Sequence, residues 1–295
     1  MKILSFGSLN LDKVYSVNHF IRPAETMAAI ELNEFSGGKG LNQSIALARA
    51  GAKVWHAGCV GEDGTMLLSA LRENGVDISL VRRLSCPTGH AIIQVNNEGQ
   101  NCILLYGGAN QQITPAQIDE TLAQFAPGDM LVLQNEISNL SYLIEAAGKK
   151  GMVIVLNPSP MAPELLQMPL QYVSYFLLNE VEAKDLCGAE VPEEEYPEML
   201  LARYPGSRVV LTLGSRGCIY QDANTRIARP ACRVQAVDTT AAGDTFTGYF
   251  VAGIAAGESV EQALEEATKA AAISVSRRGA APSIPLREEV LSAKF

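Results

Sequence analysis

The sequence predicts an α/β fold: a three-layer αβα domain built on a doubly wound, mostly parallel sheet, with a small antiparallel β lid. Short apolar runs recur and end in small or polar residues: "KILSFGSLNLD", "AKVWHAGCVG", "DMLVLQNE", "GMVIVLNPS", "VSYFLLNE" and "SRVVLTLG". Each reads as a strand buried on both faces, opening at its C-terminal end into a loop. Helical patterns lie between them: "KGLNQSIALARAG", "TMLLSALRENG", "EYPEMLLARY" and "SVEQALEEATKAAAISVSRRG". That alternation demands a sheet covered by helices on both faces, with ligands beyond the strands' C-terminal ends. Two stretches break it. Leu11 to Phe35 holds one expected strand, "MAAIELNEF", and Gly89 to Tyr106 reads as a hairpin turning at Asn96-Asn97-Glu98-Gly99. Residues 1–10, 36–88 and 107–295 therefore fall to the αβα domain, and 11–35 and 89–106 to the lid.

Bulk properties narrow the function. A chain of 295 residues can bury a large core. Its formal net charge is −9, from 32 acidic and 23 basic residues, with no basic run to suggest a nucleic-acid partner. No apolar run reaches membrane-spanning length, and the N-terminus enters a strand with no signal-peptide pattern. The six cysteines are scattered without a CxxC pair, and the three histidines are far apart. Neither a disulfide framework nor a zinc site is expected, and a cytoplasmic protein is.

The chemistry concentrates in "VDTTAAGDTFTGYF", Val237 to Phe250. Small residues lead into a helix that is apolar on all sides, so its first turn presents free N–H groups deep in the protein. An anion suits that place. Asp244 would repel the anion, but it suits a general base taking a proton from a hydroxyl that attacks phosphorus. Asp244 as a simple helix cap accounts for the residue equally well. In "FSGGKGLNQS", Gly37-Gly38 gives a flexible approach to a helix on which Lys39 and Asn42 can face one ligand. The P-loop spacing is absent, and a glycine-rich turn with a solvated lysine is the alternative. Asn10 and Asp12 end the first strand, as a sugar-hydroxyl site or an Asx turn. Glu136 ends another strand in the same way. Asn179 and Glu182 open a helix, either near phosphate-bound Mg²⁺ or as ordinary acidic helix-start residues. "LTLGSRG", Leu211 to Gly217, could take phosphates or a nucleoside, or merely turn the chain.

"GGKGLNQS" and "DTTAAGDTF", in that order and at that separation, resemble the two signatures of the ribokinase-like (PfkB) family of carbohydrate kinases, and the likeness covers nearly the whole chain. The resemblance implies ATP-dependent phosphorylation of a free pentose, D-ribose to ribose 5-phosphate. Its alternatives are a nucleoside or another sugar as acceptor, or a non-catalytic sugar-binding protein. It implies Asp244 as base and an anion hole at Ala241, Ala242 and Gly243. The sugar would be held by Asn10, Asp12, Gly38, Lys39, Asn42 and Glu136. ATP would lie by Asn179, Thr212, Gly214, Ser215, Gly217, Gly243 and Lys269, with Mg²⁺ at Glu182. K⁺ would sit among Asp238, Thr240, Ser274, Arg277, Gly279 and Ser283, largely on carbonyls. The small sheet would cover the sugar and pair two subunits into a homodimer. Ala24 and Ala241 stand where the family often has glycine, and at Ala241 a methyl group is tolerable with a negative φ.

Overall fold

The computed structural model describes residues 1–295. Its strands are β1 (Ile3–Phe6), β2 (Asn10–Ser16), β3 (Glu31–Gly37), β4 (Val54–Val60), β5 (Asp77–Arg83), β6 (Gly89–Val95), β7 (Asn101–Tyr106), β8 (Met130–Gln134), β9 (Val153–Asn157), β10 (Val173–Asn179), β11 (Arg208–Thr212), β12 (Cys218–Gln221) and β13 (Arg226–Arg229). The helices are α1 (Lys39–Arg49), α2 (Thr65–Glu73), α3 (Pro115–Leu122), α4 (Leu140–Lys150), α5 (Glu180–Cys187), α6 (Tyr196–Arg203), α7 (Ala242–Ala256), α8 (Val260–Val275) and α9 (Arg287–Ser292).

Nine strands form the main sheet in the order β13-β12-β11-β10-β9-β8-β1-β4-β5. From β5 to β11 every neighbouring pair runs parallel; β12 and β13 finish the far edge antiparallel. Alternation along the strands feeds two cores. Ile3, Met130 and Val132 join α1, α2, α7, α8 and α9 on one face, while Leu4, Phe6, Leu131 and Leu133 join α3, α4, α5 and α6 on the other. That is the expected three-layer arrangement. The chain moves outward from β1 to β4 and β5 on one side and from β8 to β11 on the other. The order therefore reverses between β1 and β8, which fixes where a crevice opens at their C-terminal ends.

The small sheet has the order β3-β2-β6-β7. Its outer pairs are antiparallel, as the sequence suggests, but the central pair β2·β6 is parallel, with Asn10 opposite Gly89. Both strands start at the junction with the main sheet and run away from it, so they must be parallel. β3 and β7 bring the chain back. The strand expected over "MAAIELNEF" begins only at Glu31, and the hairpin turn closes through Asn96 N–H to Gln100 O. The edge strand β5 did not stand out in sequence because none of its residues is fully buried, so only Ile78, Leu80 and Val81 need be apolar and no continuous run results.

Glycine permits one close helix crossing. α7 is buried from Asp244 to Gly253 and packs on α1 and α8. A Cβ at Gly248 would lie 2.3 Å from the Ala46 Cβ and 2.8 Å from the Leu47 nitrogen, so α1 and α7 touch almost backbone to backbone. Gly248→Ala must push them apart, and overpacking of this kind costs about 1–3 kcal/mol. Urea denaturation should show that loss; an unchanged midpoint would mean that the crossing is loose.

Candidate active site

The crevice at the strand-order reversal is built from short polar segments following β1 and β8. After β1 the chain passes Gly7 and Ser8, and after β8 it passes Glu136. The Ser8 hydroxyl donates to Glu136, and the Lys39 backbone N–H also donates to the Glu136 carboxylate (3.2 Å). The glycines of "GGKG" are there for contact rather than the flexibility expected of them. A Cβ on Gly37 would strike the Asp12 carboxylate at 2.0 Å, and one on Gly40 would lie 2.5 Å from the Gly7 carbonyl carbon. Gly38 has a φ of 96° and presses on the Ser8 carbonyl. Asn10 and Asp12 are strand residues, not an Asx turn. Asn10 is buried, and its Oδ1 accepts from Asn110 Nδ2 at 2.8 Å. Asn110 also exchanges two hydrogen bonds with the Leu9 backbone. Asn10, Asn110 and Glu136, with Leu105 of β7, line a cavity of about 260 Å³.

Asp244 is in the first turn of α7 and does not cap it. The N-cap is Ala241, with no side-chain cap. The carboxylate instead turns toward α1, where Oδ2 accepts from Asn42 Nδ2 (3.1 Å) and Oδ1 from Gln43 Nε2 (2.9 Å). Asn42 Oδ1 is buried without a partner. The amides before Asp244 are not used up by the helix. Ala242 N–H makes a long bond to Thr239 O (3.3 Å), whereas the N–H groups of Ala241, Gly243 and Asp244 have no acceptor in the protein. Ala241 has a φ of 58°, so the condition under which its methyl group is tolerable, a negative φ, is not met: the turn into α7 takes the left-handed conformation. Ala24 does the same, with φ 63°.

Asp244 and Lys39 line a cavity of about 250 Å³ together with Glu182, Asn179, Thr212 and residues 241–243. Asn179, Thr212, Thr239, Ala242 and Gly243 also border a larger cavity of about 570 Å³, whose wall includes Gly214, Ser215, Gly217, Phe246 and Thr268. Lys269 is not part of that wall; its ammonium pairs with Glu265 (2.9 Å). Asn179 and Glu182 form a reciprocal capping box at the start of α5. Glu182 is therefore both a helix-start residue and a cavity residue. No group of three His, Cys, Asp or Glu side chains could hold a metal by itself.

The six residues assigned to a monovalent cation form two hydrogen-bonded groups, Asp238 with Thr240 and Gly279, and Ser274 with Ser283 and Arg277. Asp238 accepts from Thr240 N–H and Oγ1 and from Gly279 N–H, Ser274 and Ser283 share a hydroxyl bond of 2.8 Å, and Arg277 N–H donates to the Ser274 carbonyl. Burial works to raise the Asp238 carboxyl, but the Thr240 and Gly279 donors outweigh it and hold it below the usual range. The Asp238 carboxylate is thus already committed to protein donors. Thr245 Oγ1 links the cluster to α7 through Ser274 (3.3 Å).

Charge in the crevice is crowded. Burial, reinforced by the neighbouring Glu136, pushes Asp12 up to about 6. Burial also raises Glu136, against its Ser8 and Lys39 contacts. Burial alone would depress Lys39, yet Asp244, Glu136 and Glu182 together hold its ammonium above the usual lysine value. One lysine thus faces several carboxylates, as suits groups meant to act on a ligand rather than to stabilise the empty fold.

The profile described as "pfkB family carbohydrate kinase" matches residues 1–287. The chain belongs to the pfkB family. It is 37% identical over 297 residues to the ribokinase of Haemophilus influenzae, covering 97% of this chain and 95% of that one. Its fold matches the crystal structure of ribokinase from Thermotoga maritima with a TM-score of 0.88 at 36% identity, over 99% and 98% of the two chains. Arabidopsis thaliana ribokinase, solved with ribose and ATP, matches with a TM-score of 0.87 at 30% identity over 98% and 97%. For a pfkB kinase the structure also supplies polar residues that sequence reasoning missed: Ser8, Gln43, Asn110 and Gln134. A glutamine closing the apolar run "MLVLQ" was the available signal for the last.

The raised carboxyls have a thermodynamic consequence. Asp12 is held above its unfolded value of 3.8, so its contribution to stability is full below about pH 4 and is lost as the pH rises through about 6. Asp12→Asn should therefore stabilise the ligand-free protein at pH 7–8, by on the order of 2 kcal/mol, with the gain vanishing near pH 4. Thermal melts across pH measure it; a destabilised variant at pH 8 would contradict the assigned burial and repulsion.

Proposed function

We propose that the protein transfers the γ-phosphoryl group of ATP to the 5-hydroxyl of D-ribose. The observation that carries this is the meeting, in one small cavity, of the Asp244 carboxylate, the unpartnered N–H groups of Gly243 and Asp244, and the Lys39 ammonium. The larger cavity on one side suits the nucleotide, whose phosphates would reach the amides past Asn179 and Thr212. The smaller cavity beside Glu136 suits the sugar. Only one of its eight lining residues is hydrophobic, which favours a polyol over a nucleoside base.

Asp244 accepts the proton of the attacking hydroxyl, and its two amide partners hold it in orientation for that. The amides at the start of α7 and the Lys39 ammonium receive the charge that gathers on the transferring phosphoryl oxygens. Asn42 Oδ1, Asn10, Asp12 and Glu136 offer acceptors and donors to the sugar hydroxyls. Mg²⁺ would be held by Glu182 and completed by phosphate oxygens and water; it supplies neutralisation of phosphate charge. K⁺ would be held on carbonyls around Asp238, Thr240, Ser274, Arg277, Gly279 and Ser283, where it steadies the loop leading into α7. Residues 11–35 and 89–106 act as the lid, with Leu105 reaching the sugar cavity. Six free cysteines accord with a reducing cytoplasm.

The lid supports a homodimer. β7 is exposed along its whole length, and Leu32, Phe35, Ile103, Leu104 and Tyr106 are exposed apolar side chains on a sheet with two open edges. Such surface calls for a partner, and a second lid supplies one. Sedimentation at micromolar concentration should give a dimer, and Ile103→Asp with Leu104→Asp a monomer; a monomeric unmodified protein would overturn the pairing.

Asp244→Asn tests the chemistry. It should lower kcat by about 10²–10⁴-fold, the usual contribution of a general base, while ribose affinity stays within a few fold. Ribose-dependent ADP release measures the first and calorimetric titration the second. Full turnover in the variant would reject Asp244 as base.

A further inference from the structure

The Asp244 carboxylate is tied to a chain of buried amides that leads away from the crevice into the core. Gln43 Nε2 donates to Asp244 Oδ1 (2.9 Å), and Gln134 Nε2 donates to Gln43 Oε1 (2.7 Å). Both glutamines are fully buried, and neither lines the three cavities described above. The charge on Asp244 forces the direction of the chain. An ionised carboxylate only accepts, so Gln43 must turn its NH₂ toward Asp244 and its oxygen away. The Gln134 NH₂ meets that oxygen and keeps the Gln43 amide from rotating.

The chain ends on an uncompensated atom. Gln134 Oε1 is buried and has no partner, a standing cost to folding. It lies against Gly7, where a Cβ would approach it to 2.1 Å, so a glycine is needed for it to fit. Gly248 similarly lets α1 come near enough to α7 for Gln43 to span the gap. Two glycine contacts and an orphaned acceptor are an expensive way to fill a core that leucine would fill with less loss.

We propose that Gln43 and Gln134 are positioning residues for the general base, an inference that rests on the reading of Asp244 given above. Gln43 fixes the rotation of the carboxylate, so that the lone pair facing the cavity stays on the line of the sugar hydroxyl. Gln134 acts only through Gln43, by locking its amide in the donating orientation. Neither touches sugar or nucleotide, so their loss falls on the chemical step rather than on binding.

The experiment is a double-mutant cycle on the full-length enzyme with ribose and ATP, using Gln43→Met, Gln134→Met and the double variant. Thermal melts confirm folding. Gln43→Met should lower kcat about tenfold and Gln134→Met about fivefold, with both KM values within about twofold. The double variant should be no worse than Gln43→Met by more than about twofold, because the outer residue has nothing left to orient. Losses that multiply to about fiftyfold, losses carried by KM, or an unchanged kcat in either single variant would overturn the proposal. If Gln43→Met does not fold, Gln134→Met decides alone: a lower kcat at constant KM supports the chain and an unchanged kcat sinks it. Asp244→Asn run alongside separates the two claims. Full turnover there removes the base itself, whereas lost turnover there with intact glutamine variants removes only the relay.

Discussion

A carboxylate placed inside the protein at the crossing of two helices is the constraint on which the rest depends. α7 is apolar on every side and must be enclosed, which α1 and α8 do. Enclosure buries Asp244 as well, and a buried carboxylate without donors is prohibitively unfavourable. The donors come from the first turn of α1, as Asn42 and Gln43. The helix that follows the glycine-rich turn is therefore held by the same contacts that hold the Asp244 carboxylate. Gly248 makes the crossing close enough for those side chains to reach.

The strand order of the main sheet supplies the second half. Because it reverses between β1 and β8, the loops after those strands diverge and leave a crevice. Ser8 and Glu136 bond to one another there, and Asn110, which lines the same cavity, fixes the amide of Asn10. Three cavities result: one bordered by β7 and the β8 loop, and two that share a wall, one around Asp244 and one bordered by β11 and α8. The proposed in-line displacement needs sugar, transferring phosphoryl group and nucleotide side by side, and three neighbouring spaces suit that. Burial raises both Asp12 and Glu136, and the Glu136 charge adds to it at Asp12, so the empty protein carries these carboxyls at some cost.

Legibility in the sequence followed the strength of local patterning. β1, β4 and β8 to β11 announce themselves as apolar runs closed by polar residues, since a strand covered on both faces has no other solution. β5 lacks that run because the sheet ends there. Asp244, Lys39 and Asn179 were legible because a charged or amide residue sits against small or apolar neighbours at an element boundary. Gln43 and Gln134 were not, because their meaning depends on a contact between residues 91 positions apart. Spacing within one element carries no information on that contact. Whether Asp244 caps its helix was equally undecidable from sequence, since an aspartate in a first turn suits a cap well; the direction of its side chain, toward Asn42 and Gln43, excludes it.

Ala241 shows why a local rule can fail at a site that works. An L-residue with φ near 60° is strained by about 1 kcal/mol or somewhat more, and sequence reasoning expects the chain to avoid it. Followed directly by the right-handed conformation of α7, however, a left-handed residue turns successive N–H groups toward one point and makes an anion-binding concavity. A negative φ at Ala241 would return those amides to ordinary turn or helix bonding and close the hole. Glycine would adopt the same conformation without strain, but it would leave the unfolded chain more freedom to lose, an effect of roughly 0.4–1 kcal/mol that offsets much of the alanine penalty. The two residues are therefore close to equivalent in stability at this position, and it is the backbone conformation that accompanies the unpartnered N–H groups of Gly243 and Asp244.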